Sequence, residues 1–450
     1  VLRPSACPGL LRVVAARDGG LCRIRLPGGA LSAARARALA DAASTHANGV
    51  LELTNRANVQ IRGVRAGEEA ALSAALIDAG LGPAGIDAAS PVERACAADE
   101  LRNVMLSPLA CLDPDALWDT TELAAALIDM MQREPRFAAL SPKFALQLDG
   151  GERVAMLEHP HDIWLAALHD GATVRFAVGL AGCPTAQPVG TLAAEDVCAS
   201  MRALLHAFLD LAGADATRMR DVLATHSLDS LLQRAQQHGD FTLTRDDATL
   251  PAWRRAASPA GLRLGAHALH ADGSGYVGAQ PALGRIDAPT LRALAALAED
   301  SGDATLRVTP WQGVLLPNVP AHAMPAALER LDALGLIASR ADPLARLVAC
   351  TGSTGCAKSR ADTKADAQRL AAMLPPDAEA HLSGCERSCA AAHCAPFTLL
   401  ASTPDHYDLY QRDDTQSGFG QRFGQLIARN LTIEAAALAL AQRPRSNQDV

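Results

Sequence analysis

Aromatic residues make up only 3% of this 450-residue chain, with 4 Trp, 3 Tyr and 8 Phe. The apolar area that folding buries must therefore come from aliphatic helices and strands, and a hydrophobic share of 49% is ample for that. A surplus of basic charge is also missing: 41 Lys and Arg stand against 49 Asp and Glu, a formal net charge of −8. That disfavours a general nucleic-acid binder, which would carry a basic face, while local arginine clusters still suit an anionic small molecule. No run approaches the roughly 20 apolar residues of a membrane-spanning helix. The opening V-L-R-P-S-A-C-P-G-L-L-R has no charged region followed by an apolar stretch and a cleavage site, so a soluble, cytoplasmic protein is expected. The odd count of 11 cysteines points away from a disulfide framework. No G-x-G-x-x-G dinucleotide fingerprint follows a strand; Gly182-Cys183-Pro184 and Gly273-Ser274-Gly275 are too short to count.

Four of the cysteines are arranged. Cys350 and Cys356 form C-x5-C, and Cys385 and Cys389 form C-x3-C after a long gap. Thiolates hold 4Fe-4S clusters as sets of four, and Thr351, Gly352, Ser353, Thr354, Gly355 and Gly384 are small enough to turn backbone amides toward the sulfurs. Structural zinc favours C-x2-4-C at each pair, which C-x5-C does not satisfy. Four buried thiols with no ligand are the plainer alternative, since free cysteine behaves as a small hydrophobe. Cys394, beside His393, joins neither pair.

The length suggests about three domains, and the chain repeats itself. Leu51 to Val64, L-E-L-T-N-R-A-N-V-Q-I-R-G-V, lies over Leu306 to Val319, L-R-V-T-P-W-Q-G-V-L-L-P-N-V, an offset of 255. The same offset carries Gly80 to Gly335 and the helical stretch from Leu31 onto the one from Ile286 without a gap. Period-two alternation marks a strand in each copy, so two related α+β half-domains are expected, at 1–86 and 255–340. Larger segments mixing helix and strand are expected at 91–240 and 341–445. In the first of these, Ala116 to Met131 reads as a helix, Phe144 to Gly151 as a strand running into a turn, and Cys183 to Gly190 as a loop before an alanine-rich helix ending at Ala212. Boundaries fall at the glycine- and proline-containing patches near 80–91, 251–265 and 341–343, and the polar tail after Pro444 is expected to fray.

With these residues in view the chain resembles the nitrite and sulfite reductase haemoprotein superfamily. The resemblance spans nearly the whole chain and rests on the paired cysteines and on T-x-R-x-x-x-Q-x-x-G, present as Thr54, Arg56, Gln60 and Gly63. It implies an α+β fold: a pseudo-twofold pair of ferredoxin-like half-domains with a larger nitrite/sulfite-reductase-like α/β domain, and Cys350, Cys356, Cys385 and Cys389 holding a 4Fe-4S cluster against a tetrapyrrole. Within the superfamily, the repeat pairing and H-L-S-G-C-E-R-S-C look most like the monooxygenases of aerobic cobalamin biosynthesis, for which a tetrapyrrole, precorrin-3A, is substrate.

A reduced tetrapyrrole carries a rim of carboxylates, and arginine suits such a rim through bidentate pairs. Arg56 and Arg62, read as one strand with period two, project from the same face. Arg102 in L-R-N-V and Lys143 in S-P-K-F-A-L resemble the second arginine position and the lysine motif of the reductases. Ordinary solvated charges are the alternative for each. One departure bears on the reaction: the reductases have K-x-K where this chain has Lys143 and then Ala145. Alanine neither donates a proton nor stabilises negative charge, which sets the chain apart from six-electron sulfite reduction and favours the macrocycle as substrate.

The resemblance then implies hydroxylation by molecular oxygen at the carbon between rings A and D, with lactone closure by the ring A acetate. Electrons would pass through the cluster from an external donor, ultimately NADH. A cluster with four thiolates has no open iron position, so a mononuclear non-haem iron is a further expectation, with His159, His161 and Asp162 of E-H-P-H-D as candidate ligands. The alternatives are a sirohaem-dependent nitrite or sulfite reductase and a non-catalytic cluster or tetrapyrrole carrier.

Overall fold

The computed structural model describes residues 7–86, 90–171, 173–245, 250, 253–413 and 422–442; the tail after Pro444 lies outside them. Four five-stranded sheets carry the architecture, and they form two matched pairs.

The first sheet orders Val14–Ala16, Gly19–Ile24, Val59–Val64, Val50–Leu53 and Arg285–Asp287, and the second orders Gly265–Ala268, Gly275–Ala279, Val314–Val319, Thr305–Val308 and Ala30–Ser32. The last strand of each therefore comes from the other copy. Ile286 pairs with Leu51 and Leu306 pairs with Leu31, both antiparallel. The helices that follow the exchanged strands, Ala33–His46 and Ala288–Ser301, start at the offset of 255 read from the sequence. Ser32 and Asp287 cap them by accepting from the amides of Arg35 and Thr290, the usual N-terminal device. Buried Ala36, Leu39, Ala40 and Ala43 face buried Leu291, Leu294, Ala295 and Ala298, and these small residues let the two helices pack closely in one shared core.

Backbone torsions repeat at the same spacing. Gly28 and Leu283 have φ of 65° and 54°, Ala57 and Gln312 of 55° and 62°, and Gly63 and Asn318 of 66° and 53°. At these three positions the second copy keeps the left-handed turn without glycine, so the turn geometry itself is what the two copies share there.

The other two sheets match each other. One runs Val104–Met105, Leu146–Asp149 and His161–Asp170 in parallel, then Thr173–Gly182 and Gly190–Ala193 antiparallel. The other runs Leu347–Ala349, Ala380–Ser383 and Phe397–Ala401 in parallel, then Tyr407–Gln411 and Gln425–Leu431 antiparallel. Each has its own core of aliphatic side chains. The whole chain is thus a half-domain and an α/β layer, twice. The expected helix at Ala116 begins instead at Thr120, where Asp119 accepts from the Thr121 amide; the strand expected over 144–151 is confined to Leu146–Asp149. No helix among the described residues is long and apolar enough to cross a membrane.

Candidate functional site

Parallel strands deliver side chains and loops at their carboxyl ends, and the cysteines sit there. Cys350 follows the strand Leu347–Ala349 and Cys385 follows Ala380–Ser383. The Cys350 Sγ accepts from the Gly384 amide at 3.3 Å and lies 3.3 Å from the Thr363 hydroxyl. A Cβ on Gly384 would meet the Ser359 hydroxyl at 1.8 Å, so only glycine fits there. The Cys389 thiol is pushed up in pKa by the protein around it and then by Cys385, Cys350 and Cys356. All four thiols therefore lie within electrostatic reach of one another's loop, and none forms a disulfide. The Gly384 amide aimed at the sulfur, with the Thr363 hydroxyl holding the Cys350 carbonyl at 2.8 Å, suits a thiolate ligand, and the site fits an iron-sulfur cluster.

The first half-domain presses on both cysteine loops. Asn55 donates to the Cys389 carbonyl at 3.3 Å, and Arg62 donates to the Gly355 carbonyl at 2.8 Å while holding Asp18 through Nε at 2.7 Å. Glu52 anchors the same junction. It accepts from the Thr351 hydroxyl at 2.5 Å and lies 2.7 Å from Arg285, 3.6 Å from Arg62 and 3.9 Å from Lys364. Burial alone would raise its pKa, but Lys364, Arg62, Thr351 and Arg285 together hold it below the ordinary carboxylate value.

These contacts revise the expected set of substrate cations. Arg62 is 3% exposed and spent on protein partners. Arg102 donates to the carbonyls of Leu81 and Arg25 at 2.9 and 2.8 Å and lies 3.5 Å from Asp99. Both are structural. Arg56 does not share a face with Arg62, because it sits in the turn before Val59–Val64, where Ala57 takes a positive φ and breaks the strand period. Lys143 is exposed. Arg56 remains: its backbone N–H bonds to Thr54, and among the described residues its guanidinium makes no hydrogen bond. Burial, Arg218 and Arg23 lower its pKa to about 10, with Asp162 opposing. It stays charged near neutrality.

Around Arg56 lie further polar groups, of which the sequence singles out only His159 and His161, and those as iron ligands. Arg23 is lowered to about 10 by burial and Arg25 and lies within reach of Cys389. His159 stacks on His393 with ring centroids 5.0 Å apart. Among the described residues, the Nδ1 atoms of both, Nε2 of His381, Nε of Arg263 and Nε1 of Trp311 are buried without a partner, and Arg263 lies 4.3 Å over the Trp311 ring. Buried polar atoms normally have partners, so this run of open atoms, donors on Arg263 and Trp311 and either donor or acceptor on the imidazoles, marks a surface built to receive polar groups. Burial keeps these imidazoles neutral: the pKa of His159 falls well below the ordinary value, with His393 and His161 adding to the effect, and that of His161 falls to about 3.

His159, His161 and Asp162 do not assemble an iron site. Asp162 accepts from the amides of Ala145 and Met219 at 2.9 and 2.7 Å and from Arg218 at 2.9 and 3.0 Å, which occupies its lone pairs. His161 Nδ1 lies 2.9 Å from the His159 carbonyl. Among the described residues no three His, Cys, Asp or Glu side chains stand close enough for a single metal ion.

The duplication builds this polar surface once. Ile163 and Phe397 open the same register opposite Leu146 and Ala380, so His159 and His393, each four residues earlier, are equivalent positions that meet across the pseudo-twofold. By the same register Ser107 stands for Cys350 and Gly151 for Cys385. Where the first half-domain presents Arg23, Arg56 and Gln60, the second presents Gly278, Trp311 and Leu315, and Leu315 packs with Leu109, Val154 and Tyr276 in an apolar plug.

The model of the nitrite/sulfite reductase ferredoxin-like half domain matches residues 15–79 and 269–334, and that of the nitrite and sulphite reductase 4Fe-4S domain matches residues 97–240. The chain belongs to the nitrite and sulfite reductase superfamily of redox enzymes. The segment matched by the 4Fe-4S model is the first α/β layer, whereas the four cysteines lie in the second, which repeats its strand order. A precorrin-3B synthase of Sinorhizobium sp is 28% identical over 91% of this chain and 83% of its own. Ferredoxin–nitrite reductases of Zea mays and Synechococcus elongatus are 29% and 27% identical, over 84% and 85% of this chain and 69% and 76% of theirs. The Mycobacterium tuberculosis NirA structure shares the fold, with a TM-score of 0.77 and 20% identity over 95% of this chain and 82% of its own.

Proposed function

We propose that this chain is an oxygen-dependent monooxygenase that converts precorrin-3A to precorrin-3B. The observation that carries the reading is Ala145. At the position where the reductases have their second lysine, the side chain is a buried methyl whose amide is tied to Asp162, so the second ammonium of that motif is missing from any reduction of an oxyanion. The match to a precorrin-3B synthase along most of both chains supports it.

In this reading Cys350, Cys356, Cys385 and Cys389 hold the 4Fe-4S cluster, which when bound supplies electrons from an external donor, ultimately NADH. Arg56, Arg23 and Arg263 take the carboxylates of the macrocycle, with exposed Lys143 at the rim and the neutral imidazoles of His159 and His393 donating hydrogen bonds. Asn55 and Arg62 seat the half-domain on the cysteine loops, so the bound rings lie beside the cluster. One oxygen atom of molecular oxygen goes to the macrocycle carbon; the other leaves as water with two electrons and two protons. The ring A acetate then closes the lactone.

The second reading, a sirohaem-dependent nitrite or sulfite reductase, is favoured by nitrite reductases of similar identity. Mass spectrometry of the product under labelled oxygen separates the two. The expected product gains one labelled oxygen and the purified protein holds no sirohaem. Stoichiometric sirohaem with sustained nitrite or sulfite reduction would overturn the monooxygenase.

A further inference from the structure

Lys364 is 9% exposed and its ammonium is shared between two parts of the molecule. It donates to the Leu283 carbonyl of the second half-domain at 2.6 Å and to the Ala349 carbonyl, next to Cys350, at 3.4 Å. It is one residue past Thr363, fully buried at the first turn of the helix Thr363–Ala371, whose hydroxyl lies 3.3 Å from the Cys350 sulfur. Thr363 donates its hydroxyl to the Cys350 carbonyl at 2.8 Å, and the same proton serves a Cys350 thiolate only as the weaker arm of a three-centre bond. Arg62 reaches the other end of the loop at Gly355, beside Cys356. Glu52 is set among Lys364, Arg62 and Arg285, and Asp18 holds Arg62 from its other side. Three cations against these two carboxylates leave one positive charge beneath Cys350 and Cys356, and buried Lys364 is the cation least screened by water.

Resting on the cluster assignment of the proposed function, we propose that Lys364, with Thr363, sets the reduction potential of the cluster and that Glu52 partly offsets it. Reduction adds an electron and hence negative charge; a buried ammonium and a hydroxyl shared with a ligand sulfur favour that state, and a buried carboxylate disfavours it. These are positioning and tuning residues, since none touches the substrate.

The test is a redox titration of the cluster followed by electron paramagnetic resonance, on full-length protein with iron and sulfide measured in each variant. Lys364→Met is expected to lower the reduced-to-oxidised ratio at fixed potential about tenfold, a fall of about 59 mV for a one-electron couple. Thr363→Val is expected to move it the same way, and Glu52→Gln the opposite way. A purely structural role gives no such reversal of sign. Should Lys364→Met lose its iron, the opposed shifts of Thr363→Val and Glu52→Gln decide the matter. Unmoved potentials, or shifts of one sign in all variants, overturn the inference while leaving the cluster assignment standing. Wild-type protein without iron and sulfide would bring down both.

Discussion

Arg56 and Arg102 both occupy arginine positions of the reductase motifs, and the structure gives them opposite work. Arg102→Ala bares two carbonyls, those of Leu81 and Arg25, and takes from the buried Asp99 the more distant of its two cations, leaving Arg25 at 2.6 Å. A buried polar group left without a partner costs about 1–3 kcal/mol, so the substitution is expected to cost about 3 kcal/mol or more and to lower Tm clearly, with tetrapyrrole affinity in the surviving folded protein unchanged. Arg56→Ala removes no protein hydrogen bond and relieves repulsion from Arg218 and Arg23, so Tm holds or rises slightly. If Arg56 meets a substrate carboxylate, a charge-assisted contact of about 1.5–3 kcal/mol is lost and affinity falls by roughly one to two decades. Differential scanning fluorimetry and an absorbance titration with a reduced tetrapyrrole read both quantities. The reverse pattern, a stable Arg102→Ala that binds weakly beside an Arg56→Ala that binds normally, would falsify this division of labour.

Single serine variants of Cys350, Cys356, Cys385 and Cys389 are each expected to lose iron and sulfide in anaerobic analysis, and those of Cys7, Cys22, Cys96, Cys111, Cys183, Cys198 and Cys394 to keep them; full retention at any of the first four sinks the ligand set. Gly29→Ala should unfold the first half of the chain or cost several kcal/mol, because a Cβ there would come 1.9 Å from the Val308 carbonyl at φ of 68°; an unaltered Tm would contradict the exchanged-strand packing. Acid should weaken the fold through His161 and His381, both lowered to about 3 by burial. Below about pH 6.5 the unfolded chain takes up protons that these folded imidazoles refuse, so stability falls toward pH 3 by about 1.4 kcal/mol per pH unit per histidine. Glu152, raised to about 8 by burial and Asp149, acts in the opposite sense, losing its stabilising effect as pH rises from about 4.5 through 8. His381→Phe should flatten the acid limb of denaturation midpoints measured between pH 7 and 5; an unchanged slope argues against the buried neutral imidazole.

The offset of 255 was legible because the half-domain strands alternate and their turns are fixed by backbone geometry. The cysteine loops were legible from spacing alone. The second duplication was hidden: the paired α/β layers are buried on both faces, so their strands read as apolar runs with no period, and the side chains they share at matched register, such as Leu148 with Leu382, Leu165 with Leu399 and His159 with His393, are too scattered to show as a repeat. Arg62 and Arg102 misled because a motif position says which residue stands there and not what it touches. Arg23, Arg218 and Arg263 lie in stretches with no spacing signal, and tertiary folding alone brings them beside Arg56.

The exchange of the short strands Ala30–Ser32 and Arg285–Asp287 bears on how the chain is made. The sheet that carries Arg56 and grips the cysteine loops lacks its edge until residues 285–287 have left the ribosome, and the helix Ala33–His46, which also touches Glu69–Asp78, lacks its largest helical contact until Ala288–Ser301 exists. Neither half can be completed first, so a nascent or truncated chain ending near residue 240 holds an open sheet edge and a partly uncovered apolar helix, the features that invite wrong pairing. Expressed together as separate fragments, the halves should assemble by trading strands. Recombination of halves between distant relatives should fail at this seam before it fails at the cysteines.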